Sequence, residues 1–548
     1  MGKTIIQIWE KRIKKEWKIA FTAAFFIGMA VHLFRFTNAI PNADALYNFY
    51  NSQNMVGSGR WFLSVACGLS GYFDIPWLIG LLSLLFMALT AVVVIEVFEM
   101  DNPVLIVLSS GLLVSFPSIT ETMWFEFTAD GYMMAMLLAA VSVLVTKIRY
   151  RPKIKDNILT ILISAVCICL SCAIYQAYVS FAMILAICYY IGVILEGQHT
   201  LKEYVRWIVV QVFSYAIGLI VYYVIWKLCI LLQGYQESSY GGINEVGTIS
   251  IQLIKNGIHV SVMSLLRFFF EEELFTDGVT LYSGLNLLFI LMLIGCGINS
   301  VIKSRVFKKK VEFVLMILCV LCIPFAACIW SFTSVRIEYS SRMLQSLCVL
   351  YIFGAWLFEK WVSPRMADLV AVLLAVIICN NSVTANTYYL AMEQCFDRSY
   401  ATAVEMNTRI HMLDDGTAKY IAVVGEITDY PQYAAYQEDK FQHLGVLHRP
   451  TYSLMKNGQY IPIFLSTYTD FALYYYVKND LQYPIVDFGS DSVPAPKDWV
   501  FRFPVADPAT QTALENSQEV AQMPVWPMHG AVKVIEDTIV IKIAEVSK

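Results

Sequence analysis

Apolar runs of roughly 20 residues recur along most of this chain, and they limit its fold more than any other feature. In lipid every backbone N–H and C=O must be satisfied inside the structure, so such runs cross a membrane as helices. They fall at about 17–37, 75–97, 103–118, 131–147, 158–174, 177–195, 206–232, 282–302, 311–332, 343–358 and 366–384. The stretch 158–195 is too long for one crossing and divides at "YQAY", residues 175–178, which makes about eleven spans. Charged residues make up 15% of the chain, against about 25% in a soluble protein. The fold class is therefore mainly α, a polytopic helical membrane protein. The first run lacks a small-residue cleavage site and is expected to remain as a helix.

Basic clusters set the expected orientation. "KRIKKEWK" (11–18), "KIRYRPKIK" (147–155), "LKEYVR" (201–206), "KSRVFKKK" (303–310) and "EKWVSPR" (359–365) all fall on one side of an eleven-span arrangement. That side is read as the cytoplasm, with the N-terminus on it. Segments 38–62, 119–130, 233–281 and 333–342 then face outward, as does everything after the last span.

From about residue 386 the apolar runs shorten. Met392, Phe396, Ala403, Met406, Ile410 and Leu413 recur at helical steps, "KYIAVVGEI" (419–427) reads as a buried strand, and 531–545 reads as two short strands around a turn. The expected organisation is a transmembrane domain over 1–385 and an extracytoplasmic α/β domain over 386–548, large enough for its own core. Most of the thirteen cysteines lie in apolar runs and read as small hydrophobes; the CxCxxC at 167–172 has no histidine beside it.

Charged residues gather at the outer boundary: Arg35, Asp44, Arg60, Asp74, Glu121, Glu126, Asp130, Arg267, Glu271, Glu272, Glu273, Asp277, Arg336, Glu338 and Arg342. A charge near hydrocarbon costs several kcal/mol unless paired or wet, so these residues are functional candidates. Their level suggests a site holding a lipid by tail and head group together. A transporter would more often place them near the midplane.

In "NADALYNFYNSQNMVGSGRWF" (42–62), Asn42, Asp44, Asn48 and Asn51 fall at roughly helical spacing, as a short interfacial helix after Pro41. Two readings of Asp44 stand: a water-exposed cap or loop acid, and a general base for a sugar hydroxyl. Arg60 suits a phosphate or a partner for Asp44. "TETMWFEFTADGYM" (120–133) is expected as an outer loop carrying Glu126 and Asp130, with Trp124, Phe125 and Phe127 as interfacial anchors. Asp130 also reads as the cap of the next helix. Tyr175 and Gln176 either line a sugar pocket or form the turn between two spans. Arg336 and Arg342, with Tyr339, lie in another outer loop, where a guanidinium fork suits a lipid phosphate or anchors at the interface. "RFFFEEELF" (267–275) reads as an amphipathic surface segment, more a solvated face than a cation site.

With "YFDIPW" (72–77), "FEFTADGYM" (125–133) and "YQAYVSF" (175–181), the 42–62 segment resembles the bacterial glucosyltransferase family of the serotype-converting kind, Gtr type II, with a GT-C-like architecture. "MPVWPMHGAVKVIEDTIVIKIAE" (523–545) is similar to the ending of longer members. The resemblance implies transfer of glucose or another hexose outside the bacterial plasma membrane, from polyprenyl-phosphate-glucose to a surface glycan or its lipid-linked precursor. It implies Asp44 as the first-loop catalytic acid; by residue type and level, Arg60, Arg336 and Arg342 are read toward the donor phosphate. Asn42, Asn48, Glu126, Asp130, Tyr175, Gln176 and Tyr339 are read, on the same residue-level grounds, toward sugar and acceptor. Many GT-C loops carry paired acids, whereas Asp44 stands with Asn42, so a base without a metal is expected, and no cofactor. No Walker loop or dinucleotide fingerprint is present, and no nucleic-acid partner is expected. The rival readings are a flippase or transporter of lipid-linked glycan and a non-catalytic glycan-binding membrane protein.

Overall fold

The computed structural model describes residues 13–38, 40, 52–71, 75–151, 153–238, 242, 250–270, 281–337, 339–413, 418–425, 506 and 508–545. Its long helices are α1 Lys15–Thr37, α2 Pro76–Phe98, α3 Pro103–Ser115, α4 Pro117–Trp124, α5 Ala129–Arg149, α6 Ile158–Ile174, α7 Tyr178–Glu196, α8 Leu201–Gln233, α9 Ile251–Phe270, α10 Leu281–Ser304, α11 Lys310–Ala327, α12 Cys348–Trp361 and α13 Pro364–Leu413. Prolines at the first helical position start α2, α3 and α4, where the missing N–H costs nothing. Asn102 caps α3, its side chain accepting from the N–H of Val104 and Leu105. Thr200 and Glu203 form a capping box on α8. α7 is central, touching α2, α5, α6, α8, α10, α11 and α12.

One face of the bundle collects the basic helix ends. Lys14 pairs with Glu96 at 2.7 Å and Lys147 with Glu99 at 2.8 Å. Glu359 Oε1 accepts from the N–H of Asp101 (2.9 Å) and Asn102 (2.8 Å). Lys303 Nζ donates to the Trp361 carbonyl (2.7 Å) and Lys309 Nζ to that of Gly197 (3.4 Å). The ends of α1, α2, α5, α7, α10 and α12 are thus at one level, as alternating spans require.

Among the described residues eleven helices are long and apolar enough to cross a membrane, and the protein is a multi-pass membrane protein. The break at Tyr175–Ala177 between α6 and α7 falls where "YQAY" placed it. Two elements differ from expectation. The run at 343–358 forms a tight 3₁₀ segment, Ser341–Leu347, followed by the 14-residue α12. At 1.5 Å per residue α12 alone is about 21 Å long, and the backbone breaks from helical geometry at Leu344, so the two do not form one straight span.

The second is α9, which meets the length and hydropathy of a span although it lies in a stretch expected outside. Tyr282 Oη donates to the Phe268 carbonyl (3.1 Å) and Asn286 Nδ2 to that of Phe269 (3.2 Å). Both donors are at the end of α10 opposite Lys303. The earlier half of α9 packs on Ile329–Phe332, the turn after α11: Ser331 Oγ donates to the Gly257 carbonyl at 3.2 Å. Gly257 and the C-terminal end of α9 thus both meet helix ends opposite the basic face, which favours a helix that does not cross. Its exposed Ile251, Ile254, Ile258, Val262 and Leu266 form one apolar stripe, the pattern of a helix lying in the interface. Cysteines introduced at Ser250 and Thr276 should therefore react with a membrane-impermeant maleimide from the same side. Labelling of the second only after permeabilisation would make α9 a crossing.

The expected outer loop at 119–130 also differs. Pro117 begins a new helix that folds back into the bundle, so Glu121, Trp124, Glu126, Phe127 and Asp130 are buried. The polar members of this group find partners there instead of water.

α13 runs unbroken from the basic face through the bundle and on to Leu413. Beyond it, β1 (Tyr420–Val424), α14 (Pro508–Glu515), α15 (Gln518–Gln522), β2 (Val532–Ile535) and β3 (Thr538–Lys542) follow. The sheet order is β1–β3–β2, with β3 parallel to β1 and antiparallel to β2. The strands expected at 419–427 and 531–545 are these three.

Candidate active site

Opposite the basic face, residues 52–71 lie across the ends of α5, α6 and α8. Trp226 Nε1 donates to the Val56 carbonyl (2.8 Å), Asn54 Nδ2 to Tyr235 Oη (2.7 Å) and Phe62 N to the Ala173 carbonyl (3.0 Å). The turn at Gly59 has φ +81°, and a Cβ there would sit 2.3 Å from Tyr222 Oη, so only glycine fits. Gln176 Nε2 donates to the Ser58 carbonyl at 2.8 Å and to Tyr222 Oη at 3.2 Å. The polar interruption between α6 and α7 is thus the bracket that holds the turn carrying Arg60.

Arg60 meets an aromatic stack. The rings of Tyr132 and Tyr175 lie parallel, 4.3 Å apart. The guanidinium is 5.1 Å from the Tyr175 ring and 5.9 Å from that of Tyr132, and Nη1 donates to Tyr132 Oη at 3.0 Å. Among the described residues Arg60 Nε is buried without a hydrogen-bond partner. A cation held over aromatic faces with an unmatched N–H is prepared for an anion.

A second arginine comes from Ser341–Leu347, which packs on α4. Arg342 N donates to Glu121 Oε2 at 2.6 Å, and its guanidinium lies 4.1 Å from the Phe125 ring centroid. Burial pushes the Tyr175 phenol above its ordinary pKa, and the charges of Arg342 and Arg60 pull against that shift. Both guanidinium groups therefore act on one phenol, which stays protonated and able to donate. Tyr339 Oη accepts from Trp330 N (2.9 Å), while Trp330 Nε1 donates to the Gln176 carbonyl (2.8 Å). Tyr339 thus braces the wall behind Gln176.

The structure brings together Arg60, Tyr175, Gln176, Tyr339 and Arg342 from distant parts of the chain. Arg336 is exposed on the loop after Ile329–Phe332. Asp130 accepts from the Ser70 hydroxyl and from Gly131 N (2.9 Å), clipping residues 63–70 onto α5. Glu126 pairs through Oε2 with Arg35 at 2.6 Å, and its Oε1 is buried without a partner. Asn42, Asp44 and Asn48 lie outside the described residues. Among the described residues no group of three or more His, Cys, Asp or Glu is placed to hold a metal ion. Sequence reading gave no role to Tyr132 or Tyr222; Tyr132 stands inside the quoted "FEFTADGYM", but nothing local marks it as a stacking partner.

The profile of the glucosyl transferase GtrII family matches residues 33–359, more than half of the chain. The protein belongs to the GtrII glucosyl transferase family. No curated protein and no solved structure matches it. The matched region holds every residue of the two-arginine cluster and stops inside α12. This GtrII member is thus a membrane-embedded glycosyltransferase, with a sugar donor and a glycan acceptor as its substrates. The arrangement of Arg60, Arg342 and Tyr175 supplies positive charge and a neutral hydroxyl donor at one end of its bundle.

Proposed function

We propose that the protein transfers glucose from a polyprenyl-phosphate donor to a surface glycan or its lipid-linked precursor, on the outer face of the bacterial plasma membrane. The observation that carries this reading is Arg60 on the Tyr132–Tyr175 stack, its Nε buried and unmatched, beside Arg342 and opposite the basic face. The positive-inside rule makes the basic face cytoplasmic, so the cluster faces outward. Nucleotide sugars are scarce there, and a lipid-carried donor suits a site at the bilayer's edge.

In this reading the Asp44 carboxylate takes the proton of the acceptor hydroxyl as its oxygen bonds to the sugar's anomeric carbon. The bond from that carbon to the phosphate oxygen breaks, and polyprenyl phosphate leaves with the electron pair. The phosphate gains negative charge in this step, and Arg60 and Arg342 stabilise it more than they do the ground state. No cofactor is assigned.

Arg60→Ala and Arg342→Ala should each weaken donor binding by roughly 1.5–3 kcal/mol, the scale of a hydrogen bond to a charged group. Lysine should restore only part of it, lacking the planar fork. Arg336→Ala should have a smaller effect, about 0–1 kcal/mol, as for an exposed charge. Titration with polyprenyl phosphate checks the series, and normal binding in both Arg60→Ala and Arg342→Ala would remove the phosphate assignment.

The function itself is tested by incubating purified protein with polyprenyl-phosphate-glucose and cell-wall glycan. Glucose on the glycan supports the reading. Lipid movement across a vesicle with the acceptor unchanged would make the protein a flippase, and binding without turnover a glycan-binding protein.

A further inference from the structure

Arg35 lies at the end of α1, outside the two-arginine cluster, yet it is among the largest of the fully buried side chains, 2% exposed. Its guanidinium is engaged three ways. Nη2 pairs with Glu126 Oε2 at 2.6 Å, Nε donates to the Met123 carbonyl at 3.1 Å, and Nη1 donates to the Asn38 carbonyl at 3.1 Å. One side chain thus fixes the exit of α1, the last turn of α4 and the corner between α4 and α5.

That corner carries the walls of the anion site. Glu126 is flanked by Phe125 and Phe127, whose rings meet at 6.3 Å. Phe125 is the ring against which the Arg342 guanidinium lies. Phe127 packs against Met55. Met55 in turn forms a backbone bridge with Arg60, and its Sδ receives Arg60 Nη1 at 3.5 Å. Both arginines therefore rest on residues whose position follows from the Glu126 corner.

A buried ion pair is seldom a net gain in stability, because desolvating two charges offsets their attraction. Apolar side chains of similar size would hold the helices about as well. What they would not supply is direction: the hydrogen bonds from Arg35 set the rotation of the corner about α1. We infer that Arg35, acting through Glu126, is a positioning residue for the two-arginine anion site. It sets the distance between the Phe125 wall and the Met55 wall, and through them the spacing of Arg342 and Arg60. The inference rests on the reading of those two arginines as phosphate ligands.

The test is the double variant Arg35→Met/Glu126→Leu, with undecaprenyl phosphate in detergent as the probe. Thermal unfolding of the purified variant should stay near that of the parent, while the dissociation constant for the lipid phosphate rises about tenfold or more, the size of a lost coupling between neighbouring residues. In an Arg342→Ala background the same double change should add much less than tenfold, because the site it aligns is already broken. Arg35→Lys keeps the charge but not the three-way fork, and should also weaken binding if the double variant does not fold. Unchanged binding in a folded double variant, or in Arg35→Lys, overturns the inference. If Arg60→Ala and Arg342→Ala themselves bind normally, the phosphate reading falls first; if they bind weakly and the Arg35 variants normally, only the positioning role falls.

Discussion

Asp44→Asn is expected to keep expression and donor binding while lowering turnover by about 10²-fold or more, as for loss of a general base. The exchange is nearly isosteric and removes only the charge and basicity. Asp44 stands inside the region that the GtrII profile matches, six residues beyond Asn38, whose carbonyl Arg35 grips. The acids that the structure does describe at this end of the bundle are committed elsewhere. Glu121 accepts from Arg342 N, Glu126 pairs with Arg35, and Asp130 holds Ser70 and Gly131 N. A carboxylate whose oxygens are engaged in such contacts would have to break them to reach an acceptor hydroxyl, which leaves Asp44 as the proposed base. The measurement is single-turnover transfer from polyprenyl-phosphate-glucose, beside a donor titration of the same preparation. Near-normal turnover in a well-folded variant would sink the assignment and turn attention to Glu126, whose Oε1 is buried without a partner.

The parts of the fold that depend on local pattern were legible in the sequence. The α6–α7 break at "YQAY" follows from length alone, and the β2–β3 hairpin from two short apolar runs around Glu536 and Asp537. Hydropathy carries no information about depth, so it cannot separate a crossing from α9, which meets the length and hydropathy of a span while Gly257 and Phe268 both meet helix ends opposite the basic face. It also could not show that the acids of 119–130 turn inward, because their partners Arg35 and Arg342 are far away in sequence. The site itself was legible as residue types and not as a constellation. Arg60, Gln176 and Arg342 were singled out by chemistry, but the stack of Tyr132 on Tyr175 that gives Arg60 its seat joins the start of α5 to a turn 43 residues later. Gln176 was read as pocket lining or turn; its bond to the Ser58 carbonyl makes it the support of the turn before Arg60.

Ending the chain after Leu413 is expected to abolish transfer to the glycan and to leave donor-lipid binding intact. The choice of cut matters, because α13 passes without a break through the boundary expected at residue 385. Tyr389 Oη lies 2.7 Å from His32 Nδ1, and Asn386 Nδ2 donates to the Val31 carbonyl at 3.1 Å. A chain ending at 385 would strip Tyr389 from the fully buried His32 and Asn386 from the Val31 carbonyl, at about 1–3 kcal/mol for an unsatisfied group, and would confuse misfolding with lost function. Beyond Leu413 the described residues have a small core of their own, with Val424, Val520, Met523 and Val540 packed together and β3 buried along its whole length. Arg409 ties this unit to α13: its guanidinium lies over the Trp526 ring at 4.3 Å, and Nη1 donates to the Pro527 carbonyl at 2.7 Å. The family match stops at residue 359, so the two-arginine cluster stays whole in the shortened chain. The unit beyond Leu413 has its own core and holds none of the residues of the two-arginine cluster, which is why it is proposed to select the acceptor. The truncated protein should bind polyprenyl-phosphate-glucose with the affinity of the full chain and transfer none of it to the polymer. Loss of donor binding in a truncated but folded membrane part would show that the distal unit helps to build the donor site. Full transfer without it would show that the choice of acceptor is made within the bundle, between residues 52–71 and the wall of Trp330 and Tyr339.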